Sequence, residues 1–214
     1  MNFTNIGTTL STTFLELGLR YTDNKQLVQA FYDELAVAYS SSCRYYHSLA
    51  HLSFMLKEIK ESTLSFQDID AALFALYYHD IVYEPTRNDN EEQSTLIALE
   101  RLQAMNCPST LITNCQQLIL ATKGHEESIN NDVNLFTDID LAILGKPWKH
   151  YQRYTQAIRK EYAMYNDEAY CKGRQKVLHH FLAMPSIFKT TYFRTLYEVN
   201  ARENIKQELL YMLS

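Results

Sequence analysis

Three short stretches of the chain carry side chains suited to acid–base or metal chemistry. Arg44 to His51 reads RYYHSLAH, Tyr77 to Tyr83 reads YYHDIVY, and Phe136 to Gly145 reads FTDIDLAILG. His47 and His51 stand four residues apart, so on a helix both rings lie on one face. His79 and Asp80 are adjacent at the end of an apolar stretch, and Asp138 and Asp140 interrupt another. A carboxylate placed in apolar surroundings is costly unless something compensates it. A divalent cation would compensate several of these groups at once. Neutral imidazole together with carboxylate suits Mn, Fe, Ni, Co, Zn or Mg. Neighbouring helix residues point roughly 100° apart, so one ion can take both His79 and Asp80 if it sits near the helix surface between them. Each stretch alone also has an ordinary structural reading, as a hydrogen-bonded histidine pair or a chance doublet. The ordered set is the more specific signal.

These residues need rigid elements to position them, and the apolar pattern supplies helices. Apolar residues recur at three- and four-residue intervals almost throughout. Leu10, Phe14 and Leu17 mark a first helix, and Leu27, Phe31 and Leu35 a second. Ser40 to Ser42 break the pattern, and a third helix is expected from about Tyr45 to Ile59. Ser65 followed by Asp68 resembles a capping box opening a helix that ends near Tyr83. Further helices are expected over about Glu91–Met105, from Pro108 to Gly124, and over Val133–Leu144. Three more follow, divided near Asn166–Tyr170 and near Pro185. With 5 Gly and 4 Pro there is little material for hairpins, and no strand-like alternation persists. An all-α fold is expected.

The ordered set of one histidine, a His-Asp doublet and a later aspartate resembles the HD superfamily of metal-dependent phosphohydrolases, in particular a bacterial branch described as predicted metal-dependent HD phosphohydrolases. That branch carries RxYH, HDxVY, NEE, T-x-x-H and DxDLAxLG segments. Here they correspond to Arg44 with Tyr46 and His47, His79 to Tyr83, Asn90 to Glu92, Thr122 with His125, and Asp138 to Gly145. Glu161 with Tyr162, Gly173 with Arg174, and Ala201, Arg202 and Asn204 extend the match, so the resemblance covers nearly the whole chain. It implies a single HD-type domain over residues 1–214, a helical bundle with a catalytic core at about 25–146 and additional C-terminal helices at about 147–214. It implies one or two divalent ions held by His47, His79, Asp80 and Asp140, and hydrolysis of a phosphate ester, a nucleotide or another small phosphorylated molecule, by metal-activated water.

The distal aspartate is the least regular position, because many HD proteins place a basic residue and leucine after it, whereas Asp140 is followed directly by Leu141. Asp140 fits the LAILG segment better than Asp138, which would then orient a ligand from behind. His51 and His125 are candidates for a phosphate oxygen or for a second metal; their alternatives are a supporting hydrogen bond and a free loop histidine. Glu91 is a candidate to position water, beside Glu92; favourable charge at a helix N-terminus is the alternative. Asp80 would both ligate and orient water. Arg44 is a candidate to neutralise substrate or pair with a carboxylate, and Lys123, Arg159 and Arg174 are candidates for phosphate. Two other readings use the same residues: an HD-fold di-iron oxygenase, and a non-catalytic metal- or nucleotide-binding module.

Composition narrows the remaining classes. The formal net charge of −5 argues against general nucleic-acid binding. Yet 12 of the 20 Lys and Arg lie from Lys146 onward, so the last third offers either an anion-holding surface or a solvated helix face. Cys43, Cys107, Cys115 and Cys171 form no CxxC pair, which predicts reduced, buried thiols in a cytoplasmic protein. No signal-like N-terminal pattern is seen, and the apolar run Ala71–Tyr78 is too short to span a bilayer, so no membrane partner is expected. No P-loop, GxSxG elbow or dinucleotide fingerprint is present.

Overall fold

A computed structural model describes residues 3–212. Among them lie ten α-helices and no strand: α1 (Phe3–Gly18), α2 (Lys25–Tyr39), α3 (Leu49–Glu61), α4 (Ile69–Tyr78), α5 (Asn90–Ala104), α6 (Ser109–Ala121), α7 (Asn131–Leu141), α8 (Trp148–Glu161), α9 (Asp167–Ala183) and α10 (Thr191–Tyr211). A short 3-10 turn, Ala142–Gly145, extends α7. The expected all-α fold is what is found.

The centre of the bundle is α4. Its sequence IDAALFALYY is apolar on every side, and Ala71, Ala72 and Phe74 to Tyr78 are all buried. A helix with no polar face has to be surrounded; α1, α3, α5 and α6 pack around it. Phe14 of α1 meets Tyr77 edge-on at 4.9 Å between centroids. One apolar core joins Leu10 at one end of the chain to Ile205 at the other. On α2 the buried stripe is Val28, Tyr32, Leu35 and Tyr39. Leu27 and Phe31, expected at its centre, flank it instead, and Phe31 lies under the Arg101 guanidinium.

Helix boundaries follow local capping. Asp68, rather than Ser65, caps α4, accepting a hydrogen bond from Ala71 N–H at 3.0 Å. The carboxylate of Asp132, at the start of α7, accepts from the N–H groups of Gln67 and Asp68, both at 2.9 Å, and so ties α7 to the entry of α4. Helices α8 and α10 close over the 3-10 turn that follows α7. A Cβ on Gly145 would fall 2.3 Å from Tyr197 Cβ and 2.8 Å from its Cα, so only glycine lets α10 approach the 3-10 turn this closely. Asn204 donates to the carbonyls of Leu144 and Lys146, each at 2.8 Å, and holds the turn in place.

Two expectations about local structure are corrected. Helix α3 starts at Leu49 rather than near Tyr45, so His47 lies in the preceding turn and not one helical turn before His51. Helix α4 ends at Tyr78, which places His79 at its C-cap and Asp80 beyond it. All four cysteines are free; Cys107 and Cys115 are buried as expected, but Cys43, in the polar turn after α2, is exposed and Cys171 is partly so. Among the described residues no helix is long and apolar enough to cross a membrane.

Candidate metal centre

Three elements bring the acceptor atoms of four side chains together. His51 comes from the first turn of α3, His79 and Asp80 from the end of α4, and Asp140 from the end of α7. His51 Nε2 lies 3.2 Å from His79 Nε2 and 3.2 Å from Asp140 Oδ1. His79 Nε2 lies 3.9 Å from Asp140 Oδ1 and 3.0 Å from Asp80 Oδ2, which is itself 4.0 Å from His51 Nε2. His51, His79 and Asp140 form a cluster able to hold a metal ion.

The donor set fits a cation on geometric and on electrostatic grounds. Bonds of about 2.0–2.2 Å to one ion leave neighbouring ligand atoms about 3 Å apart and opposed ones about 4 Å apart, which spans the separations seen here. His79 Nδ1–H donates to the Leu76 carbonyl at 3.0 Å, the remaining helical carbonyl that this capping position can reach. That bond fixes the tautomer and turns the Nε2 lone pair toward the cluster. Burial disfavours a charged His79 ring, yet Asp80 and Asp140 outweigh it and raise its pKa to about 9. Burial likewise opposes charge on Asp80, but His79 and His47 hold its carboxyl below the usual range. The Asp140 carboxyl is also held well below the usual range against burial, by the rings of His125 and His51. For His51 burial wins, and its ring is pushed down toward the neutral form that ligates metals. The cluster is short of positive charge, and a divalent ion is the group that would supply it.

The expected ligand His47 stands one step back. Its Nε2 is 4.0 Å from Asp80 Oδ2, while its Nδ1 faces Glu161 Oε2 at 2.8 Å and its ring stacks on Tyr83 at 4.0 Å. His51, expected to bind a phosphate oxygen, ligate a second metal or give a supporting hydrogen bond, takes the inner position. The cause is Glu161, at the end of α8. Its Oε1 accepts hydrogen bonds from three successive N–H groups, those of Tyr45, Tyr46 and His47, at 2.7, 2.7 and 2.9 Å. Tyr83 Oη–H adds a bond to Oε2 at 3.2 Å. These N–H groups are directed at a carboxylate more than a hundred residues away in sequence, and the chain turns there instead of entering α3 early. Glu161 is the residue that sequence reasoning missed. The EY pair was visible, but nothing local says what it holds.

His125 completes the rim. It adopts φ 51, a left-handed conformation rare for a side-chain-bearing residue, and its N–H caps the Ala121 carbonyl at the end of α6. In that conformation its Nε2 reaches Asp140 Oδ2 at 2.8 Å. Glu91 borders a cavity of about 320 Å³ shared with Asp80, His47, His125 and Asp140. Burial pushes its carboxyl up, and Asp80 adds to the effect.

Other candidates are committed elsewhere. Asp138 faces away from the cluster and accepts from Lys189 N–H, Thr190 N–H and the Thr190 hydroxyl at 2.8, 2.7 and 2.7 Å, so it anchors the entry to α10 and orients no ligand. Two residues on a helix are about 200° apart, which is why Asp140 faces inward when Asp138 does not. Arg44 donates to the backbone carbonyls of Asp80 and Ile81 and lies over the rings of Tyr39 and Tyr83. It secures the end of α4 rather than facing substrate. Arg174 is buried in a two-pronged pair with Glu208, and Arg159 pairs with Asp167. Lys123 lines the cavity, but its Nζ is shared between Glu92 and the Asn88 carbonyl. Many cations of the basic last third hold the chain's own groups: Lys146 binds Glu58, and Arg202 binds Glu198.

No family model matches this chain, and no curated protein or solved structure matches it significantly.

Proposed function

We propose that this chain is a metal-dependent hydrolase of phosphate esters, built on the plan of the HD superfamily. The observation that carries the reading is the convergence of His51 Nε2, His79 Nε2 and Asp140 Oδ1, with Asp80 Oδ2 3.0 Å from His79 Nε2, beside an open cavity. The order histidine, His-Asp doublet, distal aspartate along an all-helical chain supports it. A divalent ion at this point would supply Lewis-acid stabilisation of phosphoryl oxygens and lower the pKa of a water molecule toward neutrality. The protein's own groups do the rest. His79, fixed by Leu76, and His51 present lone pairs, and Asp80 and Asp140 set the charge. Glu91, with its raised carboxyl, lines the same cavity, and we assign it the role of accepting a proton from water. Lys123 lines the same cavity with its charge already shared with Glu92, so the ion itself would carry most of the stabilisation of a phosphoryl oxygen. Hydrolysis joins a water oxygen to phosphorus, breaks the ester P–O bond and returns the proton to the leaving oxygen.

The test is elemental analysis of the full chain and its His79→Ala variant, followed by assay of the metal-loaded protein on 4-nitrophenyl phosphate and bis(4-nitrophenyl) phosphate. Metal-dependent turnover that disappears in the variant is expected. Stoichiometric metal with no turnover of either ester would overturn the hydrolase reading in favour of a binding module. No metal in either protein, after incubation with Mn, Fe, Ni, Co and Zn, would remove the metal centre as well.

A further inference from the structure

Beside the metal centre lies a second, larger space that the chemistry above does not use. A chamber of about 770 Å³ runs between α8, α9 and the end of α7, and shares His47, His125 and Asp140 with the smaller cavity. Pockets of roughly 300–1,000 Å³ with mainly apolar walls are the usual size and character for small-molecule sites. Six of the chain's 16 tyrosines line it: Tyr46, Tyr83, Tyr154, Tyr162, Tyr165 and Tyr170. A phenol keeps its proton at neutral pH, so these tyrosine walls carry no charge. The Tyr46 hydroxyl is buried with no hydrogen-bond partner in the chain. Aromatic faces favour flat partners, stacked or edge-on.

The charges of the chamber narrow the ligand further. Arg174 reaches the wall but is held by Glu208, and its remaining nitrogen donates to Tyr154 Oη at 3.2 Å. Lys123 is held by Glu92. Lys176, exposed at the rim, is the other lysine of the lining. A polyphosphate chain would bring several negative charges against walls whose cations are mostly spent. At one wall position, Gly173 in the interior of α9, a Cβ would meet nothing within 4 Å. The space there is open.

We propose that the tyrosine chamber is a binding subsite for a neutral, planar ring system, and that it holds the leaving group of a phosphate monoester whose phosphoryl group lies at the metal centre. The second half of this statement rests on the phosphohydrolase reading; the first half does not.

The experiment has two arms. In the first, calorimetry measures 2-naphthol binding to the full chain. Binding is expected, weakened at least about tenfold by Gly173→Trp, which fills the chamber. Glycine is among the poorest helix formers, so this variant is expected to keep its fold. Val177→Asp, at an exposed position on the same wall, is the second variant should the first lose its helical circular-dichroism signal. In the second arm, kcat/KM of the metal-loaded protein is compared on naphthylmethyl phosphate and glycerol 1-phosphate, two alkyl esters of similar leaving-group acidity. A preference of at least about tenfold for the ring ester, lost in Gly173→Trp, is expected. Naphthol binding without turnover of either ester would support the ring subsite and overturn the hydrolase reading. Turnover of both esters at similar kcat/KM, with no naphthol binding, would overturn the subsite and leave the hydrolase reading standing. Naphthol binding that neither variant alters would also overturn the assignment to this chamber.

Discussion

Asp138 and Asp140 sit two residues apart on α7; Asp138 is fully buried, Asp140 lines the cavities, and their surroundings differ in kind. Asp138 is ringed by donors that belong to the backbone and to Thr190. Its carboxyl is nonetheless pushed up by burial, with those donors only partly offsetting it. Asp140 faces the Nε2 atoms of His51 and His125 and is held well below the usual range against the same burial. A carboxylate satisfied by N–H groups ties segments together. A carboxylate that faces imidazole nitrogens, which bond a proton or a metal equally well, marks a place where charge is exchanged.

The largest effect that would sharpen this contrast is on metal content. Asp140→Asn and His79→Ala are expected to drop bound metal from about one or two equivalents to below about a tenth, whereas Asp138→Ala keeps it; elemental analysis reads all three. Loss of metal in Asp138→Ala, with its fold intact by circular dichroism, would break the distinction. The next effect is on stability and runs the other way. Asp138→Ala leaves two N–H groups and a hydroxyl unpaired in the interior, at about 2–4 kcal/mol in all, or a Tm lower by about 5–12 °C for a chain of this size. Asp140→Asn in the metal-free protein is expected to shift Tm by less.

A smaller effect concerns Glu161, which resembles Asp138 in its donors and Asp140 in its histidine. Glu161→Gln keeps an acceptor for the three N–H groups but gives up the charge beside His47. About a tenfold loss of metal affinity or activity is expected, with rescue in Glu161→Asp only where the shorter arm still reaches the turn. An unchanged metal titration curve would reduce Glu161 to a purely structural tie. The smallest effect compares the two left-handed side-chain-bearing residues, Asn106 at φ 61 and His125 at φ 51. Asn tolerates this region and ends α5 much as glycine would. His125 holds it at a strain of about 1 kcal/mol or more. Asn106→Gly is therefore expected to change Tm little. His125→Gly is expected not to lower it while still reducing turnover. A clear fall in the Tm of His125→Gly would show that its bond to Asp140 outweighs the strain.

Much of the fold is legible in the sequence because helices announce themselves locally. The three- and four-residue spacing of apolar positions located every helix, and the continuous apolar run of α4 marked the centre. His79, Asp138 and Asp140 stood out for a similar reason, as ionisable groups at or inside apolar stretches, but only the resemblance of the LAILG segment favoured Asp140 over Asp138. The rest depended on partners distant in sequence. His47 and His51 were expected on one helical face, but Glu161 bends the chain before α3 begins. Arg44 and Arg174 carried charge of the right sign for phosphate, and only the fold shows that the carbonyls of Asp80 and Ile81 and the carboxylate of Glu208 had already claimed them.

The bond between Glu161 and the turn at Tyr45–His47 bears on how the chain can be divided. A stop codon after Lys146 would leave every candidate metal ligand encoded, along with α1 to α7. It would also remove the carboxylate that gathers three N–H groups beneath His47, and with it Tyr154, Tyr162 and Gly173 of the chamber. Such a shortened protein would possess its histidines without their arrangement. The last third is thus part of the candidate site: the turn that carries His47 is held by a carboxylate of α8 more than a hundred residues downstream.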